Sequence, residues 1–273
     1  MGQITTIDWC DSSWNPTTGC NHGCAYCYAR GIARRFKGFL PDYKPGTWRE
    51  ENGLYVLDEI QYRQQKDGKI VPTIYPFGFT PTFHRYRLSV PQSWKRPRTI
   101  FVGSMADLFG EWVPDSWIQE VFEACAKAPQ HRYLFLTKNP NRYNELAKKG
   151  LLPQKHWYGY TATSQRMLWT FRHADECLVK NLFVSIEPIL APMQPNFSTH
   201  TPADWVIVGA ETGQRKNMVV PKREWIDAIL MECEYSGRPI FMKESVRELM
   251  GDNFKQEYPW ETESKERDTD GAC

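Results

Sequence analysis

Gly19-Cys20-Asn21-His22-Gly23-Cys24-Ala25-Tyr26-Cys27 sets three cysteines in a C-x3-C-x2-C spacing. Gly19 and Gly23 permit positive φ where a backbone turns tightly, so the run reads as a loop that wraps its thiols round a common centre. Thiolates are the ligands of iron–sulfur clusters, and four of them would saturate a [4Fe–4S] cluster. Three leave one iron open to chelate a small molecule through an amine and a carboxylate, which makes the cluster a reagent rather than a strut. Tyr26, just before the third cysteine, is placed to wall off one side. A structural zinc site using the three cysteines and His22 is the competing metal reading, but zinc modules usually pair two separated ligand doublets and this chain has no second C-x2-C. Disulfides are disfavoured, because thiols this close in a chain with no signal peptide point to metal or redox chemistry in a reducing compartment.

Cys20, Cys24, Tyr26 and Cys27 fit the C-x3-C-x-aromatic-C signature without a gap, and here the chain resembles the radical S-adenosylmethionine (SAM) superfamily. Trp14-Asn15-Pro16-Thr17-Thr18-Gly19 and Val102-Gly103-Ser104-Met105-Ala106-Asp107-Leu108-Phe109 extend the likeness to the phage Gp37/Gp68-like (DUF5131-type) family over most of residues 7–244. The resemblance implies a cluster-bound SAM cleaved reductively to a 5′-deoxyadenosyl radical, an external electron donor such as flavodoxin or ferredoxin, and a partial (β/α)6 barrel. It also implies SAM contacts. Gly103, Ser104 and Asp107 stand where the superfamily has a Gly-Gly-Glu-type segment for the SAM amino group. Lys138 would pair with the SAM carboxylate, Thr161 or Ser164 would reach the ribose, Ser185 and Glu187 resemble polar contacts from a later strand, and Gly209-Ala210 would admit the adenine. For each there is a structural alternative: Gly103 as a tight turn, Lys138 or Glu187 in an ion pair at a strand end.

The rhythm of the chain agrees with an α/β fold. Short apolar runs at Phe83–Leu88, Thr99–Ser104, Tyr133–Thr137, Trp157–Thr161, Leu182–Ile186, Trp205–Val208 and Pro239–Met242 read as strands, with a first strand in residues 7–14. Helical periods lie between them at Ser116–Ala126, Asn141–Lys149, Ser164–Ala174 and Lys222–Cys233, after a first helix at Tyr28–Phe36. That alternation is the pattern of a parallel βα sheet. Polar residues follow each run, and in a βα barrel they open on one face. Residues 38–80 break the rhythm and read as an insertion over part of the site, with a hairpin turning at Lys66-Asp67-Gly68-Lys69. Residues 1–256 are thus one domain, and 257–273, with six acids against two bases, a mobile charged tail.

The 273 residues carry a net charge of only +2, but Arg30 to Arg98 holds 14 Lys/Arg against 6 Asp/Glu, leaving the remainder at −6. A basic, aromatic-bearing stretch beside the cluster loop fits a nucleotide or nucleic-acid substrate; a solvated basic face is the other reading. No run of about 18 apolar residues indicates a membrane span, so a cytoplasmic protein is expected. Of the other cysteines, Cys125 and Cys233 fall within helices and read as core. Cys10, ahead of the loop on the first strand, is a candidate hydrogen-atom donor. The leading expectation is radical chemistry on a nucleobase or nucleotide, such as rearrangement of a modified pyrimidine. The alternatives are radical modification of RNA or a peptide, or a non-catalytic zinc-stapled nucleic-acid-binding protein.

Overall fold

Thr99-Ile100-Phe101-Val102 shows why the strands form where they do: four β-branched or aromatic residues in a row, all buried, as in a parallel strand covered on both faces. A computed structural model describes residues 5–37, 44, 46–171, 177–197, 201–213 and 215–261. The chain divides into two compact units, Met1–Arg142 and Tyr143–Cys273.

In the first unit the elements run β1 (Ser12–Trp14), β2 (Thr17–Thr18), α1 (Tyr28–Arg35), β3 (Trp48–Glu51), β4 (Leu54–Leu57), β5 (Tyr62–Gln64), β6 (Ile70–Pro72), β7 (Thr82–His84), α2 (Val90–Ser93), β8 (Thr99–Val102), α3 (Asp115–Ala126) and β9 (Arg132–Thr137), with α4 (Asn141–Lys148) beginning at its end. Strands β1, β8 and β9 are parallel neighbours, with Trp14 opposite Val102 and Val102 opposite Phe135. Helix α3 turns Trp117, Ile118, Val121, Phe122 and Cys125 inward at helical spacing. Phe122 meets Phe135 of β9 edge-on at 5.5 Å.

Phe83–Leu88 does not continue the parallel series. The strand stops at His84 and lies between β2 and β4 in a second sheet of order β2-β7-β4-β3. The physical reason is His84, fully buried and bonded to Thr18 Oγ1 at 2.8 Å. Burial and the Arg87 charge hold its imidazole well below the usual pKa, so it is a neutral packing residue. Arg85–Arg87 then turns as a 3-10 helix. The expected hairpin is present as antiparallel β5 and β6, while residues 38–43 and 45 of the insertion lie outside the described residues.

The second unit contains β10 (Trp157–Thr161), α5 (Gln165–Leu168), β11 (Leu182–Ile186), β12 (Trp205–Val208), α6 (Arg223–Ser236), β13 (Ile240–Met242) and α7 (Arg247–Met250). Its four strands are parallel in sequence order. Gly159 is required because a Cβ there would enter the Phe183 ring on the neighbouring strand. Ile226, Ile229 and Cys233 of α6 pack with Val184, Val206 and Met242. The expected helix at Ser164–Ala174 ends early, at Leu168; residues 172–176 lie outside the described set.

The tail starts later than its composition indicates. Glu257 N bonds Ile240 O at 2.9 Å, Trp205 Nε1 bonds Glu257 O at 2.9 Å, and the Trp260 ring lies 5.3 Å from that of Trp205. Acidic residues at 257 and 261 mask an aromatic plug between them. Trp260→Ala should therefore lower stability by about 1–3 kcal/mol, as loss of a half-buried aromatic does. Urea unfolding measures it, and an unchanged midpoint would restore the mobile-tail reading of these residues.

Candidate functional site

The cysteine loop leaves the C-terminal side of β1 and is fastened at three levels. Its entrance is fixed by backbone bonds, Gly19 N to Met105 O at 3.0 Å and Cys20 N to Phe79 O at 3.2 Å. Gly19 has φ +84°, and a side chain there would land on the Thr80 carbonyl. At its exit Cys27 caps α1, its Sγ accepting the Arg30 N–H at 3.4 Å. Between them His22 Nε2 stands 2.7 Å from Asp107 Oδ2, with its ring edge-on to Trp112 at 4.8 Å.

Asp107 is the hub. It is buried, and besides His22 it accepts Thr137 Oγ1–H at 2.7 Å, Lys138 N–H at 2.9 Å and Phe109 N–H at 3.0 Å. Two carboxylate oxygens offer about four lone-pair directions, and four donors fill them. Burial alone would raise its pKa, but the bonds from His22, Lys138 and Thr137 outweigh it and hold the carboxyl below its ordinary value. Asp107 is thus a positioning residue that joins the loop to the end of β9. His22, ambiguous in the sequence, and Thr137, which no motif marked, complete it.

Gly103 takes the tight-turn alternative, with φ +82°, its N–H on Trp14 O at 2.9 Å and its carbonyl accepting Ala106 N–H at 3.0 Å. Ser104 Oγ bonds the Asn15 amide, and its carbonyl accepts Tyr28 O–H at 2.6 Å. Asn15 and Tyr28 therefore tie the turn to both sides of the cysteine run, a role visible only in three dimensions. Lys138 Nζ lies 5.6 Å from the Tyr26 ring centre, a cation–π pair beside the third cysteine. Cys20 is a half-buried thiol pushed up to about 12, first by desolvation and then by the nearby Asp107, Cys24 and Cys27 charges, against a His22 backbone bond. Cys10 precedes β1, where Asp11 N bonds Thr99 O at the start of β8; its Sγ–H donates to Ile7 O at 3.8 Å, and burial raises the thiol to about 12.

The second unit holds a separate set of the expected residues. Thr161 and Ser185 end β10 and β11, both buried. Ser164 Oγ caps α5 through Met167 N at 3.4 Å. Glu187 pairs with Lys243, the structural alternative. Gly209 makes room for that pair, since a Cβ would meet Lys243 Cδ at 2.9 Å and Glu187 at 3.3 Å. Ala210 N bonds Ser245 Oγ at 3.0 Å. Glu211 is held by Arg215 at 2.5 and 2.7 Å, a pair the sequence reading missed.

The donor set fits an iron–sulfur cluster in its chemistry: three soft thiols on one loop, the fourth position open. Among the described residues no three His, Cys, Asp or Glu side chains already surround a common metal position, so the fit rests on donor type and on the anchoring of the loop.

Asp107→Ala leaves four donors facing a cavity and should cost about 3 kcal/mol or more, whereas Asp107→Asn keeps shape and loses charge. Because the folded carboxyl titrates below its unfolded value, its stabilisation is complete above the ordinary carboxylate range and is lost as pH falls through the lower folded value. Urea midpoints below about pH 4 should fall more steeply for the wild type than for Asp107→Asn; parallel curves would refute the assignment.

No curated protein and no solved structure matches the chain. The model of the family described as "Protein of unknown function (DUF5131)" matches residues 4–272, and the chain belongs to that family.

Proposed function

We propose that this protein is a radical SAM enzyme whose Cys20, Cys24 and Cys27 hold a [4Fe–4S] cluster. The observation that carries the reading is the placement of the C-x3-C-x2-C loop at the C-terminal ends of β1, β8 and β9, pinned there through Asp107 and the Gly103–Ala106 turn. That is the edge on which βα proteins put their chemistry. The same reading carries the partial (β/α)6 barrel as the fold.

With cluster and SAM bound, the chemistry supplied is a 5′-deoxyadenosyl radical that abstracts hydrogen from a substrate. The residues of the chain do the rest. Asp107 and His22 hold the loop against the strand ends, and Gly19 lets it pass the Thr80 carbonyl. Cys20 gives up its proton on loading, as metal binding to a thiol requires. Tyr26 and Lys138 form an aromatic and cationic wall next to Cys27, with the ammonium available to a carboxylate such as that of SAM. The excess of basic residues between 30 and 98 favours a nucleotide or nucleic-acid substrate over a peptide, and the phage-family resemblance makes a DNA nucleobase, with rearrangement or isomerisation as the reaction class, the first to test. A low-potential donor of the flavodoxin or ferredoxin kind would supply the electron, and the reducing cytoplasm is the compartment this needs. No helix among the described residues is long and apolar enough to cross a membrane.

Anaerobic reconstitution with iron and sulfide, then reduction with SAM, should yield a brown protein that releases 5′-deoxyadenosine, while Cys24→Ala should lose both the cluster and the product. Tight zinc binding with no iron loading would replace this reading with a zinc-stapled binding protein.

A further inference from the structure

The β5–β6 hairpin carries its apolar residues on the side away from the core. Its register pairs Tyr62 with Pro72 and Gln64 with Ile70. By strand alternation these share a face with Ile60 and Ile74. Ile60, Tyr62, Ile70, Pro72 and Ile74 are all exposed, Ile70 by 67%. At the root of the opposite side Gln61 and Thr73 are buried, Gln61 Nε2 donating to Thr47 Oγ1 at 2.9 Å and Thr73 N to Gln61 O at 2.8 Å, while the Arg63–Val71 pair further along that side is half-buried. The root is therefore fixed, while the ladder runs on to Gln65 N and Lys69 O at 2.8 Å and a turn closed by Asp67 Oδ1 on Lys69 N at 3.1 Å. A ribbon with an anchored polar root and five exposed apolar side chains on its outer face has an interaction surface there.

Charge narrows the partner. Arg63, Lys66 and Lys69 face only Asp67 within the hairpin, and among the described residues none of the three cations has an ion-pair partner. The strand out of the hairpin continues to α1: Tyr75 and Phe79 pack with Ala29 and Ala33, and the Arg30 guanidinium lies 5.5 Å from the Phe79 ring centre. Arg34, Arg35 and Lys37 are exposed at the end of that helix, and Lys37 bridges to Tyr75. A second copy of the chain would bring like charges together on the same ribbon, which is repulsive. A bilayer would have to admit the polar tip Lys66-Asp67-Gly68-Lys69 first, which is costly. A polyanion satisfies both the charge and the shape. The major groove of B-form DNA, about 12 Å wide, admits a two-stranded ribbon, whereas that of A-form RNA does not.

We propose that the β5–β6 hairpin, with the basic end of α1, docks on double-stranded DNA. The ribbon enters the major groove with its apolar face against sugars and base edges, and Lys66 and Lys69 contact phosphates. This deepens the nucleic-acid part of the proposed function by naming the polymer and the surface that binds it.

Fluorescence anisotropy with a labelled duplex of about 20 base pairs, titrated with the full chain between about 50 and 200 mM salt, tests it. The wild type should bind, and Lys66→Ala with Lys69→Ala should weaken binding at least about tenfold and reduce the salt slope by about 2. Tyr62→Ser with Ile70→Ser should also weaken binding, without lowering Tm, because the side chains are already in water. Equal binding by wild type and both variants, no duplex binding at the lowest salt, or tighter binding of the RNA duplex of the same sequence would each overturn the proposal. So would binding to phosphatidylserine vesicles in place of DNA, or a dimer that the Tyr62/Ile70 variant abolishes. The titration uses neither SAM nor reductant, and it can be run on Cys24→Ala, so its failure and that of the radical reading are separately visible.

Discussion

One buried carboxylate governs how the cysteine loop of this protein is held. Asp107 receives donors from the loop through His22, from the end of β9 through Thr137 and Lys138, and from its own turn through Phe109. A carboxylate withdrawn from water is costly unless each oxygen is bonded, and here each oxygen has two donors. The price of burial is thereby converted into a fixed relation between the loop and the strand ends.

The remaining fastenings depend on that relation. The Gly103–Ala106 turn takes Asn15 on one side of the cysteine run and Tyr28 on the other, so residues flanking the run in sequence converge on one turn in space. Gly19 lets the chain pass beneath Thr80, and Phe79 receives the amide of Cys20. The insertion is consequently joined to the loop at its base, and the hairpin that grows from it rises from the same framework as the cysteines and α1. The basic ribbon and the cysteine loop thus stand on one unit.

The second unit shows how a strand-end position can be legible while its role is not. Glu187 and Gly209 follow buried runs, and their place at the ends of β11 and β12 was evident from the apolar pattern alone. Their partnership was not, because Lys243 is 56 residues from Glu187 and only parallel pairing of successive strands brings them side by side. Ser164, read from sequence as a ribose contact, caps α5 through Met167 N three residues on.

Local chemistry is what the sequence by itself determined: the cysteine loop, the α/β rhythm, six of the seven later strands, the Lys66-Asp67-Gly68-Lys69 turn and the core roles of Cys125 and Cys233. Each rests on neighbours within one element, where spacing and residue type act directly. Tertiary structure alone decided that Phe83 joins a second sheet, that Asp107 is saturated, that Trp260 belongs to the packed chain and that the hairpin turns an apolar face outward. Those outcomes depend on which distant donor, ring or backbone group arrives at a position, and no local pattern encodes the arrival.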